Sequence, residues 1–382
     1  MAMPFPEPIR CKAAVCRAAG EPLLIEEVVV APPRAHEVRV RIICSSLCYS
    51  DVAAWRLRVF PTVFPRIFGH EAIGVVESVG EEVEEVEVGD TVMPVFLADC
   101  RDCVDCRSER SNMCSRLPFR AQTSGMPRDG TTRFTDAAGD PVHHFLAVSS
   151  FSQYTVVDVA NVVKVSSEMP PEKICVLSCG FSTGFGAAWK VANVDPGATV
   201  AVFGLGTIGL AVVEGARVQG AGRIIGVDLK PDKFEVGKRL GLTDFINPND
   251  IGDRSINEVI KEMTNGGADY CFECIGLASL MLEAYRSSRL GWGKTIILGV
   301  EKNMSPITFD SKEILCGRTI IGSAFGGLKS KTHIPILIDK YLNKELHLDE
   351  FVTHEVGLDE INKAFELLIE GKCIRCVIWM DK

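Results

Sequence analysis

Four cysteines fall in one short polar stretch, Cys100, Cys103, Cys106 and Cys114 in DCRDCVDCRSERSNMC. Four thiolates at such intervals can close a tetrahedral zinc site with no position left for a substrate. A site of that kind holds structure and does no chemistry. Two further cysteines and a histidine stand well apart from it, Cys48 in CYSD, His70 in GHE and Cys179 in SCGFSTG. Three protein ligands leave a fourth position open for water or a substrate oxygen, which is what a reactive metal needs.

A second set of residues suits a dinucleotide. Gly204, Gly206 and Gly209 form GLGTIG directly after TVAVF and before LAVVEGARVQG. The pattern is weak by itself, but a strand before it and a helix after it are the setting its chemistry requires. The first glycine permits a tight turn, the second lets a pyrophosphate approach the backbone, and the third allows close helix packing. The helix N-terminus then faces the phosphates. Asp228 ends the next strand, GRIIGVD, where its carboxylate can accept hydrogen bonds from an adenosine ribose and would repel a 2′-phosphate, favouring NAD over NADP.

These residues must be positioned by more than one core, because 382 residues exceed what a single core usually supports. Apolar residues make up 47% and charged residues 24%, an ordinary globular composition. Residues 11–95 are dense in short β-type runs such as VRVRIIC and AIGVVESVG, punctuated by Gly and Pro, and read as an all-β body. The segment 115–150 reads as a polar surface loop. From about 180 strands alternate with helical stretches through TVAVF, RIIGVDL, DFINP, YCFECIG and KTIILGV, the signature of a doubly wound parallel sheet. The expected organisation is a zinc domain from 1–180 and 324–382, with a cysteine lobe near 98–116 and the terminal CIRCVIWM returning to it, and a Rossmann domain over 181–323.

A formal charge of −9 offers no broad basic field for nucleic acid, and the longer charge run, EEVEEVEVGD, is acidic. No segment is long and apolar enough to cross a membrane, and MAMPFPEPIR lacks the features of a secretory signal. Fifteen cysteines in such a chain read as reduced thiols and metal ligands, with the cytoplasm as the expected compartment. Cys11, Cys16, Cys271 and Cys316 read as small buried hydrophobes, and Cys373 and Cys376 as members of a strand.

Taken with FGHEAIGVVESVG, PVHHFLAVSSFSQYTVVD, GVDLKPDKF, GRTIIGSAFGG and CIRCV, these motifs make the chain resemble the zinc-dependent medium-chain alcohol dehydrogenases over nearly its whole length, in particular the long-loop dimeric members of plants and animals. The resemblance implies a fold of class α/β, a doubly wound parallel Rossmann sheet plus a mostly β, GroES-like catalytic domain. It implies two zinc ions per subunit, a catalytic one on Cys48, His70 and Cys179 and a structural one on Cys100, Cys103, Cys106 and Cys114. It further implies NAD as cofactor, a small alcohol or aldehyde as substrate, and a homodimer. Asp51 is expected to orient a ligand, Glu71 to lie beside the zinc, and Ser50 to pass the alcohol proton outward once the metal has lowered its pKa for hydride loss to the nicotinamide. Thr183 and Ile208 are expected against the nicotinamide ring, Lys233 near the adenosine ribose, Arg375 near the pyrophosphate, and Val300 at the cofactor and the pocket.

Departures from the family pattern bear on the substrate. Tyr49 stands where many members carry a basic residue, Ala53 where a full proton relay has a histidine, and Pro118 where glutathione-dependent formaldehyde dehydrogenases have an arginine for a substrate carboxylate. The pocket wall is expected to draw on Tyr49, Trp55, Phe60, Phe96, Phe145 and Leu146, with Val300 and Ala324. Rings of this kind favour an apolar or aromatic alcohol. The alternative is a cyanohydrin lyase on the same zinc and NAD scaffold, without redox turnover.

Overall fold

The computed structural model describes residues 6–56, 63–120, 124–301 and 305–382. Two compact units divide the chain, one formed by Met1–Cys179, Lys329–Asp339 and Phe351–Lys382, the other by Gly180–Leu328 and Lys340–Glu350.

The first unit is built on two sheets. One has five strands in the order Arg66–Ile67, Ile9–Cys16, Leu24–Val30, Phe134–Thr135 and Pro141–Val142. The other has seven, and its centre is the long strand Glu37–Ser46, which pairs antiparallel with Glu71–Val79, with Tyr154–Asp158 and with Arg375–Trp379. Val38, Val40 and Ile42 recur at every second position of that strand and are fully buried, as a half-polar strand with one face on the core requires. The strand Arg375–Trp379 joins this sheet through Val377 opposite Ser46. Cys376 is buried in that strand and Cys373 half-buried ahead of it.

Two expectations are corrected here. The stretch 115–150 is not all surface loop: Phe134 and Phe145 are wholly buried, and two short strands in it close the five-stranded sheet. Its polar residues enter the interior because they are paired, with Ser149 Oγ donating to the Ile67 carbonyl at 2.9 Å and Ser150 Oγ lying 2.7 Å from Ser45 Oγ. Cys316 is exposed, because it caps the short surface helix Ser311–Leu315, whereas Cys11, Cys16 and Cys271 are buried.

The second unit carries six parallel strands in the spatial order Asp244–Ile246, Arg223–Val227, Thr199–Phe203, Tyr270–Glu273, Lys294–Ile297 and Thr319–Gly322. Three consecutive strands run one way from Thr199–Phe203 and three the other, the doubly wound order whose reversal point opens a crevice at the carboxyl ends of the strands. Thr199–Phe203, TVAVF, is apolar without alternation because helices cover both faces of such a sheet. Among the described residues no single helix is long and apolar enough to cross a membrane.

Candidate active site

In the first unit, Cys48 is the N-cap of the helix Tyr49–Trp55, and the third residue of that helix, Asp51, turns its carboxylate back on the cap. Asp51 is wholly buried and accepts from three directions: the Cys48 N–H at 3.0 Å, the Gly69 N–H at 3.0 Å, and the His70 ring, whose Nδ1 lies 3.2 Å away. One carboxylate thus sets both the backbone carrying Cys48 and the orientation of the His70 imidazole. With Nδ1 held, Nε2 is left aimed elsewhere, and it is buried without a hydrogen-bond partner among the described residues. Cys179 follows the 3-10 turn Cys175–Ser178. Ligand atoms of Cys48, His70, Glu71 and Cys179 all lie within 4.8 Å of one another, and all four residues are buried. Two cysteine sulfurs and an orphaned imidazole nitrogen backed by a carboxylate are a donor set that fits zinc.

Glu71, with no exposed surface, is met by Arg375 in a two-pronged pair, Nε to Oε2 at 2.8 Å and Nη2 to Oε1 at 2.7 Å, and the same Nη2 lies 3.3 Å from Cys48 Sγ. Arg375, expected near a pyrophosphate, is in this structure held on Glu71 and Cys48, because a buried carboxylate and a buried thiolate both demand a counter-charge. The Cys48 thiol is held well below its usual range, first by a hydrogen bond from Cys179 and then by the Arg375 charge against the cost of burial. Cys179 rises well above its usual range because that proton rests on it, and burial adds to the rise. Burial acts to lower the His70 pKa, but the Asp51 carboxylate outweighs it and holds the ring well above its usual value. Ser50 is half-buried, its Oγ 3.7 Å from Cys48 Sγ.

Rings close around His70. Phe145 and Phe96 meet it edge-on at centroid distances of 5.7 and 6.0 Å, Leu146 follows in a left-handed conformation (φ 50°), and Tyr49 is exposed beside Cys48. Trp55 is not brought to this cluster: its ring packs on Phe365 at 5.6 Å and its indole N–H donates to the Glu21 carbonyl. Phe60 lies outside the described residues. Phe119, which the sequence reading passed over, stands 5.5 Å from Phe96 and was signalled only by being an aromatic residue in a polar loop.

The four-cysteine lobe lies in the same unit. The Cys100, Cys103, Cys106 and Cys114 sulfurs fall within 4.8 Å of one another. Three accept backbone N–H groups, Cys100 from Cys103 at 3.3 Å, Cys103 from Cys106 at 3.4 Å and Cys114 from Leu117 at 3.3 Å. Such donors favour the thiolate form that a closed tetrahedral zinc site takes.

In the second unit the glycine turn has the geometry of a phosphate cradle. Gly204 adopts φ +89°, and a Cβ on Gly209 would come within 1.8 Å of the Gly204 carbonyl oxygen, so neither position accepts a side chain without rebuilding the turn. A Cβ on Gly206 would meet nothing within 4 Å, which leaves the N-terminus of the helix Thr207–Val218 open to an anion. Asp228 ties this turn to the neighbouring strand by accepting from Leu205 N–H at 2.8 Å and Lys230 N–H at 3.0 Å, with Lys233 Nζ 3.5 Å away. The helix Gly180–Gly186, which carries Thr183, packs so closely that a Cβ on Gly184 would meet the Ile208 carbonyl at 2.1 Å. Val300 is 54% exposed, and its carbonyl abuts Gly276 where a Cβ would meet it at 2.1 Å.

Comparison with known proteins agrees with this geometry. Residues 34–167 match the alcohol dehydrogenase GroES-like domain, and residues 207–341 match the zinc-binding dehydrogenase domain. The chain is 62% identical over 376 residues to alcohol dehydrogenase-like 7 of Arabidopsis thaliana, covering 98% of this chain and 96% of that protein. It is 48% identical over 373 residues to alcohol dehydrogenase 1 of Petunia hybrida, covering 98% and 97%. Benzyl alcohol dehydrogenase from Acinetobacter calcoaceticus shares its fold with a TM-score of 0.88 at 28% identity, covering 97% of this chain and 99% of that one.

Proposed function

We propose that this chain, which belongs to the zinc-dependent medium-chain alcohol dehydrogenase family, oxidises an apolar or aromatic alcohol with NAD and, in reverse, reduces the aldehyde. The reading rests on one observation above all: His70 Nε2, buried and unpartnered among the described residues, converges with Cys48 and Cys179 within 4.8 Å while Asp51 fixes the ring from behind. A zinc ion held by Cys48, His70 and Cys179 supplies the Lewis acidity that makes an alcohol proton easy to lose, and bound NAD supplies the hydride acceptor. Ser50 takes up that proton and passes it outward, Asp51 keeps the imidazole in its ligating orientation, and Glu71 with Arg375 keeps charge in balance beside Cys48.

Asp228 supports NAD over NADP, since a carboxylate at the end of the second strand repels a 2′-phosphate. Phe96 and Phe145 around His70, and the benzyl alcohol dehydrogenase likeness, support an aromatic substrate. A second zinc on the four-cysteine lobe completes the count of two per subunit. The strand Thr319–Gly322 lies at the edge of the six-stranded sheet with Ile320 40% and Ile321 44% exposed, which supports a homodimer that continues the sheet across a two-fold axis. Fifteen cysteines with no disulfide among them support a reducing, cytoplasmic setting.

The test is turnover by zinc-loaded protein with benzyl alcohol and either NAD or NADP, followed by absorbance of the reduced cofactor. The expected result is steady NADH formation, at least about tenfold slower with NADP, a difference of about 1.4 kcal/mol. Cyanide release from an aromatic cyanohydrin with no cofactor reduction would replace this reading by the lyase.

A further inference from the structure

The sheet ladder that carries the candidate zinc ligand His70 stops one residue short of it. The strand Glu71–Val79 pairs with Glu37–Ser46 as far as Ser46 opposite Glu71, and His70 lies just outside. Cross-strand pairing therefore does not set the His70 backbone, and a rotation there would swing Nε2 away from the Cys48 and Cys179 sulfurs. Asp51 supplies one grip, through the Gly69 N–H and the ring itself. A second grip comes from buried hydroxyls that no step of the chemistry uses.

The stretch 145–150 delivers it. Leu146, Ala147 and Ser149 are left-handed there, at φ 50°, 58° and 54°, a backbone that residues with side chains keep only where their surroundings dictate it. The stretch runs along the approach to His70. Ser149 Oγ accepts the Phe145 N–H at 2.8 Å and donates to the Ile67 carbonyl at 2.9 Å. Phe151 N–H donates to the Phe68 carbonyl and Ser150 N–H to the Gly69 carbonyl, both at 3.0 Å. Gly69, at φ +93°, admits this neighbour because it has no side chain: a Cβ there would meet Ser150 Oγ at 2.6 Å. Ser150 Oγ in turn lies 2.7 Å from Ser45 Oγ, and Ser45 Oγ donates to the Glu71 carbonyl at 3.0 Å. A hydroxyl has one hydrogen to give. With that of Ser45 given to Glu71, the Ser150 hydroxyl is the donor to Ser45, so the chain runs one way, from Ser150 through Ser45 to the Glu71 carbonyl. Both serines are wholly buried, where successive hydrogen bonds of such a chain strengthen one another.

We propose that Ser45 and Ser150 are positioning residues for His70: they hold the Gly69 and Glu71 carbonyls on either side of it, so that Nε2 stays aimed at a metal shared with Cys48 and Cys179. This rests on the dehydrogenase reading above, in which those three residues hold the catalytic zinc. Both serines act through the backbone. The direction of the chain makes them unequal. Ser45→Ala takes the hydroxyl donor from Glu71 and leaves the Ser150 hydroxyl without its acceptor, whereas Ser150→Ala removes only the first link.

The test follows zinc release to the chelator dipicolinate from the zinc-loaded protein and from Ser45→Ala, Ser150→Ala and Ser45→Thr. His70→Ala and Cys106→Ser, each lacking one zinc, tell the two release phases apart. The expected result is loss of the catalytic zinc about tenfold faster from Ser45→Ala and about threefold faster from Ser150→Ala, with Ser45→Thr, which keeps the hydroxyl, within about twofold of the unmodified protein. The lobe zinc, in the same unit, should keep its rate in all three variants. With cobalt in place of the catalytic zinc, the visible absorption should shift in Ser45→Ala and not in Ser45→Thr. Equal acceleration of both zinc ions would show that the serines only stabilise the unit, and overturns the proposal while the dehydrogenase reading stands. So does unchanged release from Ser45→Ala, or a larger effect of Ser150→Ala than of Ser45→Ala. Where Ser45→Ala does not fold, Ser150→Ala decides by the same comparison of the two ions. Unmodified protein that takes up no zinc at Cys48, His70 and Cys179 would remove the dehydrogenase reading and this proposal with it.

Discussion

In the lobe at residues 100–114 all four sulfurs come from one loop, and the N–H groups that steady them come from residues three positions further on. The candidate centre at Cys48 gathers its donors from a helix cap, the residue before a strand and the residue after a 3-10 turn, at positions 48, 70 and 179. It fixes them through third parties: Asp51 between Cys48 and His70, and Arg375 between Glu71 and Cys48. The lobe is a local structure that a short sequence specifies, while the centre is a property of a whole folded unit. Local geometry suits a metal that only staples. A reactive metal profits from ligands oriented by a rigid surround, since misplacing them is costly to the rate.

The sharpest way to break that comparison is to remove one ligand from each site. His70→Ala is expected to lower kcat/KM for alcohol oxidation at least about a thousandfold, because several kcal/mol of Lewis-acid stabilisation are lost and each 1.36 kcal/mol is tenfold. Elemental analysis should show one zinc lost per subunit, with the melting temperature little changed. Cys106→Ser is expected to lose one zinc as well, yet to keep activity within about tenfold at low temperature while its melting temperature falls and proteolytic nicking concentrates in the lobe. Equal loss of activity in the two variants would erase the distinction.

Next in size is the dependence of the centre on its distant support. Glu71→Ala and Arg375→Ala should each destabilise the protein by about 3–5 kcal/mol in urea unfolding, because each leaves a buried charge unpaired, and the double variant should cost less than the sum. Strict additivity would mean that the two-pronged pair contributes nothing as a pair.

The effect that is absent at neutral pH lies away from both sites. His144 is wholly buried, its Nε2 accepting from the Arg133 N–H at 3.2 Å, and burial first, with Arg133 and Arg66 adding to it, pushes its pKa down to about 3. The unfolded chain takes up a proton near the ordinary histidine value of about 6.5 and the folded chain does not, so the stability from a neutral ring is whole above that pH and declines as pH falls toward 3. His144→Gln should flatten the acid limb of stability by up to about 1.4 kcal/mol per pH unit between those values. An unchanged limb would show that the proton uptake resides elsewhere.

What could be read in advance follows the same division. TVAVF, GLGTIG and Asp228 were legible because the parallel strand, the turn and the next strand end are set by residues within about thirty positions of one another. The lobe was legible from spacing alone. Cys48, His70 and Cys179 were identified through their local contexts and a family resemblance, but how Arg375 is used was not, because the Arg375–Glu71 pair spans 304 positions and is created by sheet pairing. Trp55 illustrates the converse: an aromatic residue near a reactive motif looked like pocket wall, and the fold turned its ring onto Phe365. The buried run through Phe145 was masked by polar neighbours that the interior accepts only once their hydroxyls are paired.

The strand Arg375–Trp379 lies beside Glu37–Ser46 and delivers the guanidinium that faces Cys48, 327 positions earlier in the chain. During synthesis, then, the four cysteines of the lobe emerge close together, whereas the guanidinium that faces Cys48 emerges 327 positions after it. By the same topology, a prematurely stopped product would hold the four cysteines of the lobe but lack the guanidinium that faces Cys48.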